Sequence, residues 1–201
     1  HLDPSAEARS WTWPPAPTHL EDRWIISRLN RVAARVQTYM EDYQFGEAQE
    51  EIHDFLWSEY CDWYLEMSKI RIRSGEGHSP LPVLAHVLER VLRLLHPFLP
   101  FITEEIWRTL VDYLPRDFDG APALIVAAYP TAEAALFDKE AESEIDAVVE
   151  MVRAVRNLRA EFHIQPNQTI EAIVDSPTMA SVFESENAAI KALAQVDPLR
   201  L

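Results

Sequence analysis

Two acidic residues, one leucine and one lysine are spaced as on one side of a helix in the middle of the chain: Asp62, Leu65, Glu66 and Lys69. Steps of three and four residues place all four on one face of an α-helix. The carboxylates can accept hydrogen bonds from the exocyclic amino groups of cytosine or adenine, and the leucine offers an unpaired base an apolar surface. The same spacing also describes a solvated face with one ion pair and one isolated leucine. A surface for single-stranded bases and a plain solvent face are both open at this point.

No pattern of an enzyme active site accompanies these residues. The chain contains no glycine-rich phosphate loop, no zinc-protease helix signature and no nucleophile elbow. Its 7 histidines show no metal-ligand spacing. The single cysteine, Cys61, lies beside an apolar stripe, which indicates a buried and inert thiol. We therefore expect no catalytic residue, no metal and no cofactor in this segment.

Length and composition indicate a globular chain. Its 201 residues suffice for one domain with a smaller appendage, and 48% hydrophobic with 25% charged residues exclude disorder throughout. No apolar run approaches the roughly 18 residues of a membrane span. One cysteine excludes an internal disulfide and indicates the cytoplasm. Because the chain does not begin with methionine, we expect a piece of a longer protein.

The charge balance restricts any contact with nucleic acid to a local site. The formal net charge is −15, from 33 acidic and 18 basic residues, whereas affinity for a phosphate backbone comes largely from lysine and arginine. The candidates for phosphate contacts, which could equally be solubilising charges, are Arg71 and Arg73 and, more weakly, Arg28, Arg31 and Arg35. Three further arginines are expected to pair with acids of the helical part: Arg153, Arg156 and Arg159.

Hydrophobic periodicity predicts long helices in the first part of the chain. Apolar residues recur at steps of three and four in each of them. The predicted helices are about Glu21–Tyr43, about Phe45–Ile72, about Leu81–Leu95, and a fourth that follows the corner at Pro97–Pro100 and ends near Leu114. Short connections between long helices are typical of an antiparallel bundle.

After Pro115 the pattern changes to a small mixed region. The predicted elements are a short strand or extended segment over Ala123–Ala128, a helix over about Asp138–His163, a strand over Thr169–Val174, a weak helix over about Met179–Gln195, and a frayed end marked by Pro198. We predict a mainly α fold, an antiparallel helical bundle followed by a small α/β tail. The predicted division is a linker over 1–20, whose tryptophans pack on a neighbour, a bundle over 21–129 and the tail over 130–201.

Several blocks of the sequence resemble one enzyme family. They are Asp22–Ile25, Ser27–Leu29, Phe55–Glu66, Leu94–Trp107, Val155–Glu161 and Pro166. In this order they are similar to the C-terminal region of the bacterial valyl-tRNA synthetases, which are class I aminoacyl-tRNA synthetases. The resemblance covers about residues 20–175. The Cys61–Glu66 block and the His96–Phe101 corner are specific in combination.

The resemblance implies an anticodon-binding helical bundle, followed by the junction that leads to a C-terminal coiled-coil arm beyond this chain. In that family the full-length enzyme attaches valine to its tRNA with ATP and Mg²⁺ and hydrolyses a mischarged product in a separate editing domain. This segment would lack both the catalytic and the editing domain. Its partner would be the anticodon loop of a valine tRNA, and the parent enzyme would be monomeric.

The resemblance also assigns roles to individual residues. The family's segment that matches Tyr64–Glu66 faces the anticodon, where adenine and cytosine are read for valine. Leu65 would be the apolar base contact, and Glu66 would accept a hydrogen bond from an exocyclic amine. Asp62 and Lys69 would be flanking polar contacts. The set of expected nucleic-acid-binding residues is Leu65, Glu66, Asp62, Lys69, Tyr64, Arg71 and Arg73.

Two other interpretations stay open from the sequence. The equivalent domain of isoleucyl-tRNA synthetase usually differs at the position of Cys61–Glu66 and carries a zinc-binding tail, against which one cysteine argues. A helical protein-interaction module without an RNA role is the alternative from another class. The family's first bundle helix would precede His1, so we expect half a reading site and weak RNA binding here.

Overall fold

The computed structural model describes residues 11–75, 77–115, 118, 120–165 and 168–200. Its helices are α1 (Leu20–Glu41), α2 (Phe45–Asp54), a π-helical segment (Phe55–Tyr64), α3 (Leu65–Ser74), α4 (Leu81–Leu95), α5 (Pro100–Val111), α6 (Lys139–Glu161), α7 (Ala180–Ser185) and α8 (Asn187–Ala194). Strands β1 (Ile170–Ile173) and β2 (Val196–Arg200) pair in parallel. The predicted fold class is confirmed. The first ten residues of the predicted linker and Pro166 lie outside the described residues.

Helix α1 is the element around which the others pack. Its buried stripe includes Ile25, Val32 and Val36, none of which is exposed to solvent, as the three-and-four spacing predicts. The helix contacts α2, the π-helical segment, α4 and α6. Because the apolar stripe of α1 packs against all four of these elements, it determines which face each of them turns to solvent.

The second predicted helix is one continuous helical rod whose hydrogen-bond pattern changes in the middle. Over Phe55–Tyr64 the backbone adopts the wider π-helical form. Its end shows the shift plainly, because the N–H of Leu65 donates to the carbonyl of Tyr60, five residues earlier. Successive residues of a regular α-helix diverge by about 100°, yet Trp63 and Tyr64 are both buried. The π-helical segment therefore ends with two adjacent buried aromatic rings.

Two predictions for the region after Pro115 are wrong. The predicted extended segment over Ala123–Ala128 contains a 3₁₀ turn at Leu124–Val126. This turn forms because the Leu124 N–H donates to the Glu104 carboxylate at 2.8 Å, while the Leu124 side chain packs against Leu92 and Trp107. The predicted frayed end around Pro198 is strand β2, which pairs Val196 with Ile170 and Leu199 with Ala172. The weak helix before it is interrupted at Glu186, where α7 ends and α8 begins.

A continuous hydrophobic core joins the bundle and the tail. Ile145 and Val148 of α6 share a cluster with Ile25 of α1 and Ile190 of α8. The predicted boundary at residue 130 therefore does not interrupt the packing, and the division into domains stays a prediction. In the N-terminal segment, the Trp13 ring meets the rings of His86 and Phe118 edge-on, with centroids 5.2 Å apart in each pair.

His86 makes the stability of this fold sensitive to pH. It is 6% exposed, and its Nδ1 has no hydrogen-bond partner. Burial, helped by the charges of Arg90 and Arg93, lowers the pKa of His86 from 6.5 to about 3. The unfolded chain therefore binds a proton below pH 6.5 that the folded chain rejects, so the contribution of His86 to stability is complete above that pH and is lost on acidification.

We expect the free energy of unfolding of the wild type to fall relative to that of His86→Leu by about 1.4 kcal/mol between about pH 6 and pH 5. Urea unfolding of the two proteins at several pH values measures this difference, and effects of the other titrating groups cancel in the comparison. Parallel pH profiles for the two proteins would show that the buried imidazole does not control this slope.

Candidate nucleic-acid interface

Five of the seven predicted site residues lie on an accessible face of the second helical rod. Asp62 and Arg73 are exposed, and Leu65, Glu66 and Lys69 are half-buried. Glu66 and Lys69 form an ion pair through one carboxylate oxygen, Oε1. Because Leu65, Lys69 and Arg73 follow one another at steps of four along α3, they project from the same side of the helix. These five residues are called the α3 face below.

The other two predicted site residues, Tyr64 and Arg71, are buried and do not belong to this face. The hydroxyl of Tyr64 donates to Asp22 Oδ1 at 2.7 Å. Arg71 is 8% exposed and reaches Glu21 and Asp22 of α1, each at 2.7 Å. Their expected roles in RNA contact are therefore corrected, since both side chains are enclosed in a polar network between α1 and α3.

The electrostatics of this network reflect burial of acids around one cation. Burial raises the pKa of Glu21 more than the Arg71 charge lowers it. The pKa of Tyr64 is raised well above 10, first by burial and then by the Asp22 carboxylate. Removing the arginine would leave two buried carboxylates without their cation, and Asp22 would keep only weaker partners such as the Tyr64 hydroxyl. The network therefore holds α3, and with it the α3 face, against α1.

The arginines of α1 that were candidates for phosphate contacts are also occupied. Each is paired with a carboxylate of a neighbouring helix: Arg28 with Glu59 at 2.7 Å, Arg31 with Glu142 at 2.7 Å, and Arg35 with Glu51. Arg28 makes two hydrogen bonds to its partner. These ion pairs join α1 to its neighbours; Arg28 and Arg31 are partly buried in them whereas Arg35 is exposed, and phosphate contact at these positions stays a prediction.

Few cations are left unpaired in the part of the chain that the structure describes. Those without an ion pair to a described carboxylate are Arg73, Lys139, Arg153, Arg156 and Arg159. Arg159 is buried, and its guanidinium donates to the carbonyls of Gln165, Gln168 and Gln195. The accessible unpaired arginines are therefore one on the α3 face and two on α6.

The two arginines of α6 face the α3 face across an open cleft of about 570 Å³. It is lined by Asp62, Trp63, Glu66, Arg153 and Arg156, and also by Cys61 and three residues near the end of α8: Ala192, Leu193 and Gln195. We call it the arginine–carboxylate cleft. Its lining therefore contains both carboxylates, which accept hydrogen bonds from amino groups, and guanidinium donors.

Sequence reasoning missed Arg153 and Arg156 as members of this site. They were expected to pair with acids, but each guanidinium carbon lies 5.4 Å from the centroid of the Trp63 ring. Arg156 also donates through Nε to the Leu193 carbonyl at 3.0 Å. The three-residue spacing of these arginines along α6 was the available signal, but their partners lie far away in the sequence.

No group of three or more histidine, cysteine or acidic side chains that could hold a metal ion occurs within the described ranges. Among the helices described, none is both long and apolar enough to cross a membrane.

Comparison with known proteins identifies the family. Residues 22–174 match the family model described as the anticodon-binding domain of tRNA ligase. The chain belongs to this family. Its similar relatives include valine–tRNA ligases of Dehalococcoides mccartyi (48% identical over 195 residues, 97% of this chain and 22% of the relative), of a Nostoc species (38% over 191 residues, 92% and 18%) and of Thermotoga maritima (36% over 176 residues, 88% and 19%).

These values confirm the resemblance drawn from the sequence blocks. The chain spans about one fifth of the length of the curated relatives it matches. The matched region contains the second helical rod with the α3 face, and α6 with its two accessible arginines.

We expect Arg71→Ala to lower the free energy of unfolding by about 3–5 kcal/mol, because it leaves Glu21 and Asp22 buried without their cation. The matched control is Arg73→Ala, two residues away but exposed and unpaired, which should change stability by no more than about 0.5 kcal/mol. Urea unfolding of both variants measures the contrast. Equal effects of the two substitutions would contradict the assignment of Arg71 to the internal network.

Proposed function

We propose that this chain is the anticodon-binding part of a valine–tRNA ligase and that its partner is the anticodon loop of a valine tRNA. The observation that carries the proposal is the α3 face, where two carboxylates and one half-buried leucine are accessible in a domain of the anticodon-binding family. Unpaired bases are bound through stacking and through hydrogen bonds to their edges. This face offers both kinds of contact.

The roles within the face follow from the chemistry of its side chains. Leu65 lies flat against an unstacked base, while Glu66 accepts a hydrogen bond from the amino group of adenine or cytosine. The ion pair with Lys69 uses Oε1 of Glu66, so Oε2 is the oxygen offered to a base. Asp62 is exposed one turn earlier and serves as the flanking acceptor.

The whole enzyme would attach valine to its tRNA in the cytoplasm, as a monomer, with ATP and Mg²⁺ bound outside this domain. The part described here would hold the anticodon loop and contribute no reacting group. The similarity to valine–tRNA ligases supports valine over isoleucine as the amino acid of the parent enzyme.

In the full-length enzyme we expect Leu65→Ala to raise KM for valine tRNA about tenfold, because it removes the apolar base contact, and Glu66→Gln to raise it by less, because a neutral amide oxygen replaces the charged acceptor. The rate of valine-dependent exchange between ATP and pyrophosphate should stay unchanged. Steady-state aminoacylation and the exchange assay measure the two effects.

The matched control for these variants is Glu50→Gln, which makes the same chemical change at an exposed position of α2. Its KM for tRNA should equal that of the wild type. Wild-type KM values for both Leu65→Ala and Glu66→Gln would disprove the role of the α3 face.

A further inference from the structure

Among the described cations, Arg153 and Arg156 are accessible without an ion pair and are nevertheless ordered by a neighbouring ring. Both are exposed, and neither is paired with a carboxylate of a described residue. Both are nevertheless held in place, because their guanidinium carbons lie 5.4 Å from the centroid of the buried Trp63 ring. A long side chain ordered before binding loses less conformational entropy when a ligand arrives.

The surroundings of these arginines favour a ligand that carries both a flat π-system and hydrogen-bond donors. The Arg156 Nε–H is used by the Leu193 carbonyl, which anchors one edge of the guanidinium. Across the cleft, Asp62 and Glu66 form no ion pair with either arginine. The space between these opposite charges is therefore not closed by a direct salt bridge.

We infer that Arg153 and Arg156, supported by Trp63, form a shelf on which an unpaired base of the RNA stacks within the arginine–carboxylate cleft. Guanidinium planes are surfaces on which unstacked RNA bases are bound. A base on this shelf directs its amino group towards Asp62 or Glu66, so the cleft selects adenine or cytosine over uracil. The tail then supplies part of the reading surface through α6. This inference rests on the proposed function.

The test uses the whole chain and three RNA hairpins of identical stem. The first loop carries adenine and cytosine at the last two anticodon positions, the second carries uracil at both, and the third is abasic at both. The double variant Arg153→Lys/Arg156→Lys keeps both positive charges and removes both guanidinium planes. The matched control is Arg108→Lys, the same change at an exposed arginine of α5 that lies outside both the cleft and the α3 face. Fluorescence anisotropy gives the Kd values, and urea unfolding checks that each variant is folded.

We expect the double variant to bind the adenine–cytosine hairpin about tenfold more weakly than the wild type, since stacking of one base contributes a factor of this order. Arg108→Lys should change this Kd less than about twofold, because this side chain lies outside both surfaces and lysine keeps its positive charge. On the abasic hairpin the double variant and the wild type should bind equally. If the double variant is destabilised, the single variants Arg153→Lys and Arg156→Lys are used in its place, each with a smaller loss in the same direction.

The remaining outcomes separate this inference from the proposed function. If the wild type prefers the adenine–cytosine hairpin but the double variant binds it equally well, the shelf does not exist and the proposed function stands. An equal loss on the abasic hairpin also overturns the shelf, because it shows contacts to phosphate alone. If the wild type does not distinguish the adenine–cytosine from the uracil hairpin, the proposed function fails and the inference fails with it.

Discussion

Internal ion pairing is the constraint on which this structure depends. A chain with 33 acidic and 18 basic residues has few cations, and the fold pairs most of those described with carboxylates, five of them between helices. Arg23 of α1 meets Asp138 at 2.8 Å, which lowers the pKa of that carboxyl, and Asp138 in turn accepts the Ala141 N–H to cap α6. Arg71 also joins two helices, because it forms buried ion pairs from α3 to Glu21 and Asp22 of α1. These contacts set the relative positions of the helices that carry the accessible site.

The same constraint determines what kind of RNA contact the domain can make. Most of the described cations are paired with carboxylates of the chain, so the described residues form no broad cationic face that would attract a phosphate backbone. On the proposed function, recognition would rest on a small surface of carboxylates, one leucine and a few ordered arginines. Such a surface favours unpaired bases over duplex, because stacking and edge hydrogen bonds require exposed bases. A net charge of −15 is therefore compatible with a local, base-directed site.

Periodicity was sufficient to predict the long helices but not their interruptions or partners. The stripe containing Ile25 and Val32 predicted α1 because a regular α-helix buries every third or fourth residue. The π-helical segment was not predicted, because the same three-and-four spacing of apolar residues fits a regular α-helix. Strand β2 was missed because its pairing with β1 crosses two helices, and Pro198 is read locally as the end of an element.

The site was predictable in part for the same reason. The α3 face lies within a single helix, so its spacing is visible in the sequence. The roles of Arg71 and Arg156 depend on partners far away in the sequence. Arg71 pairs with Asp22, 49 residues away, and Arg156 donates to the carbonyl of Leu193, 37 residues away. A local sequence pattern does not distinguish an arginine that forms an ion pair between two helices from an accessible arginine without an ion pair.

The salt dependence of RNA binding by this chain tests the account most directly. Three arginines among the described residues are accessible and unpaired. A plot of the logarithm of the binding constant for the adenine–cytosine hairpin against the logarithm of salt concentration should therefore have a slope of about −2. A slope of about −5 or steeper would reveal many phosphate contacts. It would contradict the claim that the fold leaves only a small, base-directed surface for RNA.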